Sequence, residues 1–302
     1  MSVESKKYRI STITATGSLN TEINLDVLYE AFKFLNSPNI IYIEYGKKKT
    51  DNGHTKKFIN RHLRSSTLAT KRFDNQVTLV YKVPLNNIMC MLNTKIFKNG
   101  NVQMTGIRHI DQGREMIEKI VELIRYFCLD LKNGFETCVY NIDTLACSNY
   151  KLRLINSDFK VKYDIKREQL YRLLIEKYQV SCSFEPCIYP AVKVKYYFND
   201  NNICKKDGIC YCSKKCMIGK SCGSGENQCK KVTIAVFQSG CIIITGGQSI
   251  AQVDEAYNFI SRVLSDNVDI IKKKMVLVPM PEDETEHNLE PKKFLIKTSC
   301  LV

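Results

Sequence analysis

Residues 8–16 alternate apolar and polar side chains with the period of a strand, and they lead into an apolar stripe at helical spacing over residues 25–35. Strand-like runs follow at 40–45, 77–83 and 88–97. The pattern then starts again: a strand over 152–161, a helix over 167–177, and strands at 180–184, 191–198 and 232–237. Each half closes on an amphipathic helix. In the first, Ile110, Met116, Ile117, Ile120, Val121 and Ile124 form the stripe, with Glu115, Glu118, Lys119 and Glu122 between them. In the second, Val253, Ala256, Tyr257, Ile260, Val263 and Leu264 recur in the same way. Asp111 and Asp254 come early in these helices, where a carboxylate suits the positive end of the dipole.

The halves also match residue by residue. Ile96-Phe97-Lys98-Asn99-Gly100 and Val236-Phe237-Gln238-Ser239-Gly240 open two segments that end in Thr105-Gly106 and Thr245-Gly246, every landmark 140 residues apart. Asn-Gly and Ser-Gly pairs suit a tight hairpin, because glycine accepts positive φ. Two repeats of strand, helix, about four strands and helix predict an α+β fold: a pseudo-twofold saddle, with one curved antiparallel sheet and its helices on the convex face. Alternation turns Ile96 and Val102 toward the helices. It turns Lys95, Phe97, Gln103 and Thr105 to the open face of repeat one, and Ala235, Phe237, Ile243 and Thr245 to that of repeat two. An uncovered sheet face is a binding surface or a subunit interface. The organisation read from this is a first repeat at 1–128, a linker at 129–149, a second repeat at 150–266 and a C-terminal extension at 267–302.

Composition narrows the choice of partner. The chain is 44% hydrophobic and 25% charged, as folded proteins are, and carries a formal charge of +14. That excess favours phosphate backbones. No apolar run reaches the roughly 18 residues of a membrane span, and the first ten residues lack a signal peptide's apolar stretch. The expectation is an intracellular protein, neither secreted nor membrane-bound.

Two insertions interrupt the repeats. Residues 47–72 hold Lys47, Lys48, Lys49, Lys56, Lys57, Arg61, Arg64, Lys71 and Arg72 against Asp51 alone. Such a run tracks phosphates, or is simply solvated. Residues 199–231 hold Cys204, Cys210, Cys212, Cys216, Cys222 and Cys229 among four glycines. Close thiolates suit structural zinc, yet no Cys-x-x-Cys pair or histidine accompanies them. Zinc, disulfides and free thiols all stay open, and no other cofactor is indicated.

The two Phe-x-x-Gly hairpins ending in Thr-Gly, each followed by its helix, resemble the TATA-box-binding protein family. So do residues 109–114, 162–170 and 251–257, and the segment Ser183-Phe184-Glu185-Pro186-Cys187-Ile188-Tyr189-Pro190 resembles the loop that the family calls a stirrup. Divergent forms of this kind are similar to those encoded by large DNA viruses. The resemblance implies binding of double-stranded DNA by the open face in the minor groove, with apolar wedges that kink it; the family is itself a reference case of that mode. It implies wedging by Phe97 and Phe237, partnered by Phe73 and Tyr189. On the central strands, where the family has paired asparagines, repeat one has Thr12, with Thr14 beside it among the candidate contacts. Repeat two has Leu154 at the direct match, with Asn156 two residues on and on the same face, within reach of a base edge; Asp158 shares that face as a repulsive charge. Lys95 and Gln103 depart from the family's apolar floor. Transcription initiation follows as the implied role, with other initiation factors or RNA polymerase as partners, in the nucleus or in a cytoplasmic viral factory or virion. The family docks transcription factor IIB on the second stirrup, where Glu185 is kept and Cys187 replaces an acid.

Catalysis finds no support: there is no P-loop, His-Glu-x-x-His, Gly-x-Ser-x-Gly or deaminase zinc signature, and the four histidines are scattered. The expectation is a non-enzyme. Its rivals are a scaffold or protein-interaction module that keeps the fold without specific DNA binding, and an accessory domain of a DNA-repair enzyme.

Overall fold

A computed structural model describes residues 8–35, 37–46, 48–51, 75–85, 88–130, 137–202, 205–213, 216, 219 and 221–273. The first repeat contains β1 (Arg9–Ser18), α1 (Leu25–Leu35), β2 (Ile40–Tyr45), β3 (Lys48–Asp51), β4 (Gln76–Leu85), β5 (Ile88–Phe97), β6 (Asn101–Ile107) and α2 (Gln112–Arg125). The second contains β7 (Ser148–Lys160), α3 (Arg167–Glu176), β8 (Ser181–Glu185), β9 (Tyr189–Phe198), β10 (Lys230–Phe237), β11 (Cys241–Gly247), α4 (Ile250–Asp266) and the short α5 (Val268–Ile271). The strands form one unclosed antiparallel sheet in the order β3-β2-β4-β5-β6-β1-β7-β11-β10-β9-β8. This is the α+β sheet expected from the sequence. Register shifts within the β1·β7, β1·β6 and β7·β11 ladders mark bulges, which add local bend and twist near the centre of the curved sheet.

β3 was not expected. It falls at the start of the basic insertion, where a loop was predicted, and pairs with β2 from Tyr45↔Lys48 to Tyr42↔Asp51. The chain turns at Gly46 and lays the next residues on the free edge of β2, so the ladder is satisfied although Lys-Lys-Thr-Asp lacks strand patterning.

One continuous core lies between the sheet and the helices. Every second strand residue enters it, among them Leu79, Ile96, Met104, Val194, Ile234 and Ile244, and the helices contribute Leu28, Phe32, Ile117, Leu174 and Ile260. Burying an aliphatic side chain of this kind is worth about 1.5–3 kcal/mol, and the one cluster draws its residues from both repeats.

The repeats use the same backbone hydrogen bonds. Leu19 N–H donates to Gly100 O at 2.8 Å and Ile23 N–H to Lys98 O at 2.8 Å; Val161 N–H donates to Gly240 O at 2.9 Å and Ile165 N–H to Gln238 O at 2.7 Å. Gly100 and Gly240, both at φ +76°, hold these turns against carbonyls that a Cβ would strike. The same correspondence carries past each second helix. Val139 bridges Ile23 and Lys272 bridges Ile165, with Cys138 and Ile271 fully buried beside them. Residues 138–139, within the expected linker, and 271–272, within the expected extension, therefore pack as parts of their repeats.

Across the seam the first-strand tyrosines are exchanged. Tyr8 donates its hydroxyl to Asp254 at 2.6 Å on α4, and Tyr150 donates to the Ile110 carbonyl at 2.6 Å just before α2. Burial pushes the Tyr150 hydroxyl up to about 12, and burial together with the Asp254 bond raises that of Tyr8. Both stay protonated donors, each tying one repeat's strand to the other repeat's helix. Asp254 is thus engaged by Tyr8, while α4 is capped by Ser249, whose Oγ accepts from Gln252 N–H at 3.4 Å.

Candidate DNA-binding face

The centre of the open face is the β1·β7 ladder, where Thr12 lies opposite Asn156 and Thr14 opposite Leu154. Thr245 comes in from β11 and donates its hydroxyl to Asn156 Oδ1. That bond fixes the amide with its NH2 left to donate, which is the group a minor groove's A·T acceptors require. Asp158 shares this face but does not stand as a bare repulsive charge. Arg9, its cross-strand neighbour, holds both carboxylate oxygens at 3.0 Å, and the bidentate pair neutralises it.

The second half has a mostly apolar floor. Ala235 pairs with Ile243 across β10 and β11, and Phe237 ends the strand beside Ala191. The Tyr189 and Phe237 rings meet edge to face, 5.8 Å between centroids at 61°, both partly exposed. Arg167, the first residue of α3, braces the pair. Its guanidinium donates to the Pro190 carbonyl and, at 3.3 Å, to Gln238 Oε1, joining stirrup to hairpin, and it lies 5.2 Å from the Phe184 ring. Lys193 and Lys195 alternate onto the same face from β9, with Lys193 Nζ 4.1 Å from the Tyr189 ring centroid. Sequence reasoning passed over these two lysines, though the alternation in Ala-Val-Lys-Val-Lys was there to be read.

The first half differs. Lys95 faces Gln103 across β5 and β6, and Thr105 faces Asn93. Phe97 ends β5 opposite Gln76, partly exposed, in the place that Phe237 holds in repeat two. On the next strand out, Val80 is buried with Ile41 and Tyr42 in a small cluster of its own, separate from the helix-side core. Phe73, Lys47, Lys56, Lys57, Arg61, Arg64, Lys71 and Arg72 lie outside the described residues, and of Lys48 and Lys49 only the strand is described.

At the second stirrup Glu185 and Cys187 are exposed, and Ile188 is 78% accessible at the tip. Of the six insertion cysteines, Cys210, Cys212, Cys216 and Cys229 converge, Cys222 stands apart and exposed, and Cys204 lies outside the described residues. Among the described residues no helix is long and apolar enough to cross a membrane.

Comparison with known proteins returns to the same family. The family model described as "Transcription factor TFIID (or TATA-binding protein, TBP)" matches residues 223–267, which span β10, β11 and α4. A protein of Acanthamoeba polyphaga mimivirus described as "TATA-box-binding protein-like" is 29% identical, over 98% of this chain and 76% of its own length. The structure of Methanococcus jannaschii TBP aligns with 86% of this chain and 99% of its own at 14% identity, with a TM-score of 0.46. The first two matches bear out the resemblance to the TATA-box-binding protein family that was read from the sequence.

Proposed function

We propose that this protein binds duplex DNA with its open sheet face in the minor groove, bends it, and serves in transcription initiation. The observation that carries the reading is the Tyr189–Phe237 pair: two partly exposed rings, edge to face, at the end of an apolar floor. A wedge must be apolar because it replaces a base as stacking neighbour, and it must be braced because the kink pushes back on it. Arg167 supplies the brace. Asn156 brings an amide donor to the centre, and Lys193 and Lys195 lie outward where a groove's phosphate walls would run. The basic insertion adds charge for the backbone beside repeat one. The partners that fit this role are initiation factors or a polymerase at the exposed second stirrup.

The test is binding to labelled duplexes of varied sequence, titrated with salt and read by energy transfer between the DNA ends. Salt-dependent binding with a shortened end-to-end distance is expected, and Phe237→Ala should lose the shortening. Binding without any bend would overturn the wedge mechanism. No salt-dependent binding at all would leave the fold as a protein-interaction module.

A further inference from the structure

From the convergence of four cysteine sulfurs in the β9–β10 insertion, we infer a structural zinc site formed by Cys210, Cys212, Cys216 and Cys229. The four sulfurs all lie within 4.8 Å of one another. Cys210 and Cys216 are 3.4 Å apart, Cys212 and Cys229 3.1 Å, and Cys229 also lies 3.6 Å from Cys210. Tetrahedral zinc with Zn–S bonds of about 2.3 Å places its sulfurs roughly 3.8 Å apart, which this cluster approaches as a set. Two disulfides would instead divide the sulfurs into separate pairs bonded at about 2.05 Å. Here Cys229 sits close to members of both pairs.

The surroundings fit a thiolate centre. Asn199 is buried, and its amide lies 3.6 Å from the Cys229 sulfur and 4.0 Å from that of Cys212, while also donating to the Gly225 carbonyl at 3.1 Å. An amide donor to ligand sulfur is the usual outer support of such a site. Four thiolates around one zinc carry two net negative charges, and residues 199–231 answer with seven lysines against three carboxylates. The insertion also needs a staple. Among its described residues only Ile209 packs against the main core from inside the loop, too little apolar surface to hold the segment. It is nevertheless docked: Gly208 O accepts from Tyr197 N–H at 2.9 Å, and Cys222 O from the Gln252 side chain at 2.8 Å. Cys222 takes no part through its sulfur, which lies beside Gln228.

The centre lies at the Phe198–Lys230 end of β9 and β10, opposite the end that carries Phe237, about 20 Å along the strand. Its loss and the loss of DNA bending are therefore separable. The experiment is elemental analysis of the full chain purified reduced, with cobalt substitution as a second readout. Stoichiometric zinc is expected, together with the sulfur-to-cobalt charge-transfer bands of a tetrathiolate site. Cys222→Ser should keep the metal, and the double variant Cys212→Ser/Cys229→Ser should lose it. Chelation should expose residues 199–231 to protease while leaving bending unchanged. Metal-free protein without the cobalt bands would overturn the site. So would iron in place of zinc, or peptide mapping that finds Cys210–Cys216 and Cys212–Cys229 disulfides. The cobalt spectrum of the unmutated chain stands even if the double variant does not fold.

Discussion

The two halves of the open face share one backbone plan and invert its chemistry. In repeat two the inner strands carry Ala235, Ile243 and Phe237, and lysines stand on the next strand out as Lys193 and Lys195. In repeat one the equivalent inner positions hold Lys95 and Gln103, and the equivalent outer positions hold Thr78 and the buried Val80. One half is an apolar floor with lysines beside it; the other is a polar floor whose two corresponding outer positions are uncharged. Hydrogen bonds through the hairpin turns keep the geometry of the two halves alike, so side-chain chemistry is free to differ.

The shared frame gives the largest effect. Replacing Gly100 or Gly240 by alanine forces a side chain into positive φ, at roughly 1–3 kcal/mol, and drives Cβ into a backbone carbonyl. The Cβ would strike Thr21 O at Gly100 and approach Tyr163 O to 2.6 Å at Gly240, so thermal unfolding should show Gly100→Ala as the worse of two severe losses. Next come the wedges. Phe237→Ala should weaken duplex binding by on the order of 2–3 kcal/mol, about a hundredfold in Kd, with the bend reduced at that half-site. Phe97→Ala should weaken it less, because the floor beside it is already polar; equal losses in titrations of the two variants would erase the asymmetry. Lysine changes act through salt. Lys193→Gln and Lys195→Gln should each flatten the slope of log K against log salt by about 0.9, if each meets a phosphate. Lys95→Ala, by contrast, should alter base preference in a panel of duplexes. The smallest effect belongs to the seam: Asp158→Asn should change stability by less than about 1 kcal/mol in denaturant titration, since the Arg9 pair is exposed, yet should tighten DNA binding by freeing Arg9.

Much of the frame was legible in the chain. α1 runs over Leu25–Leu35, and β2 and β5 keep the bounds that periodicity assigned them, because each has a continuous apolar face of the right period. β3 escaped notice because Lys-Lys-Thr-Asp carries no apolar alternation, which is the signal by which a strand is read from sequence. The exchange of Tyr8 and Tyr150 across the seam was equally hidden, since no local pattern says which helix a distant tyrosine will reach. The site was legible by halves. Alternation put Lys95 and Gln103 on one face, and they are cross-strand partners in the sheet, but the bidentate grip of Arg9 on Asp158 needed the register of two strands far apart in sequence. Six cysteines were visible as a group, whereas the four that converge depend on how the loop folds back on itself.

The central ladder also bears on how the chain reaches this state. Most other pairings in the sheet join neighbours in sequence, and β1 with β6 and β7 with β11 close within a single repeat. The β1·β7 seam joins residues up to 149 apart, as Arg9 to Asp158, and contacts of that separation are the slow ones to form. A chain made from its N-terminus completes the first repeat with the outer edge of β1 unpaired until β7 arrives. The threonines at 12, 14 and 16 line that waiting edge. Folding of the first repeat alone should therefore be accompanied by self-association, which the second repeat suppresses by covering the edge.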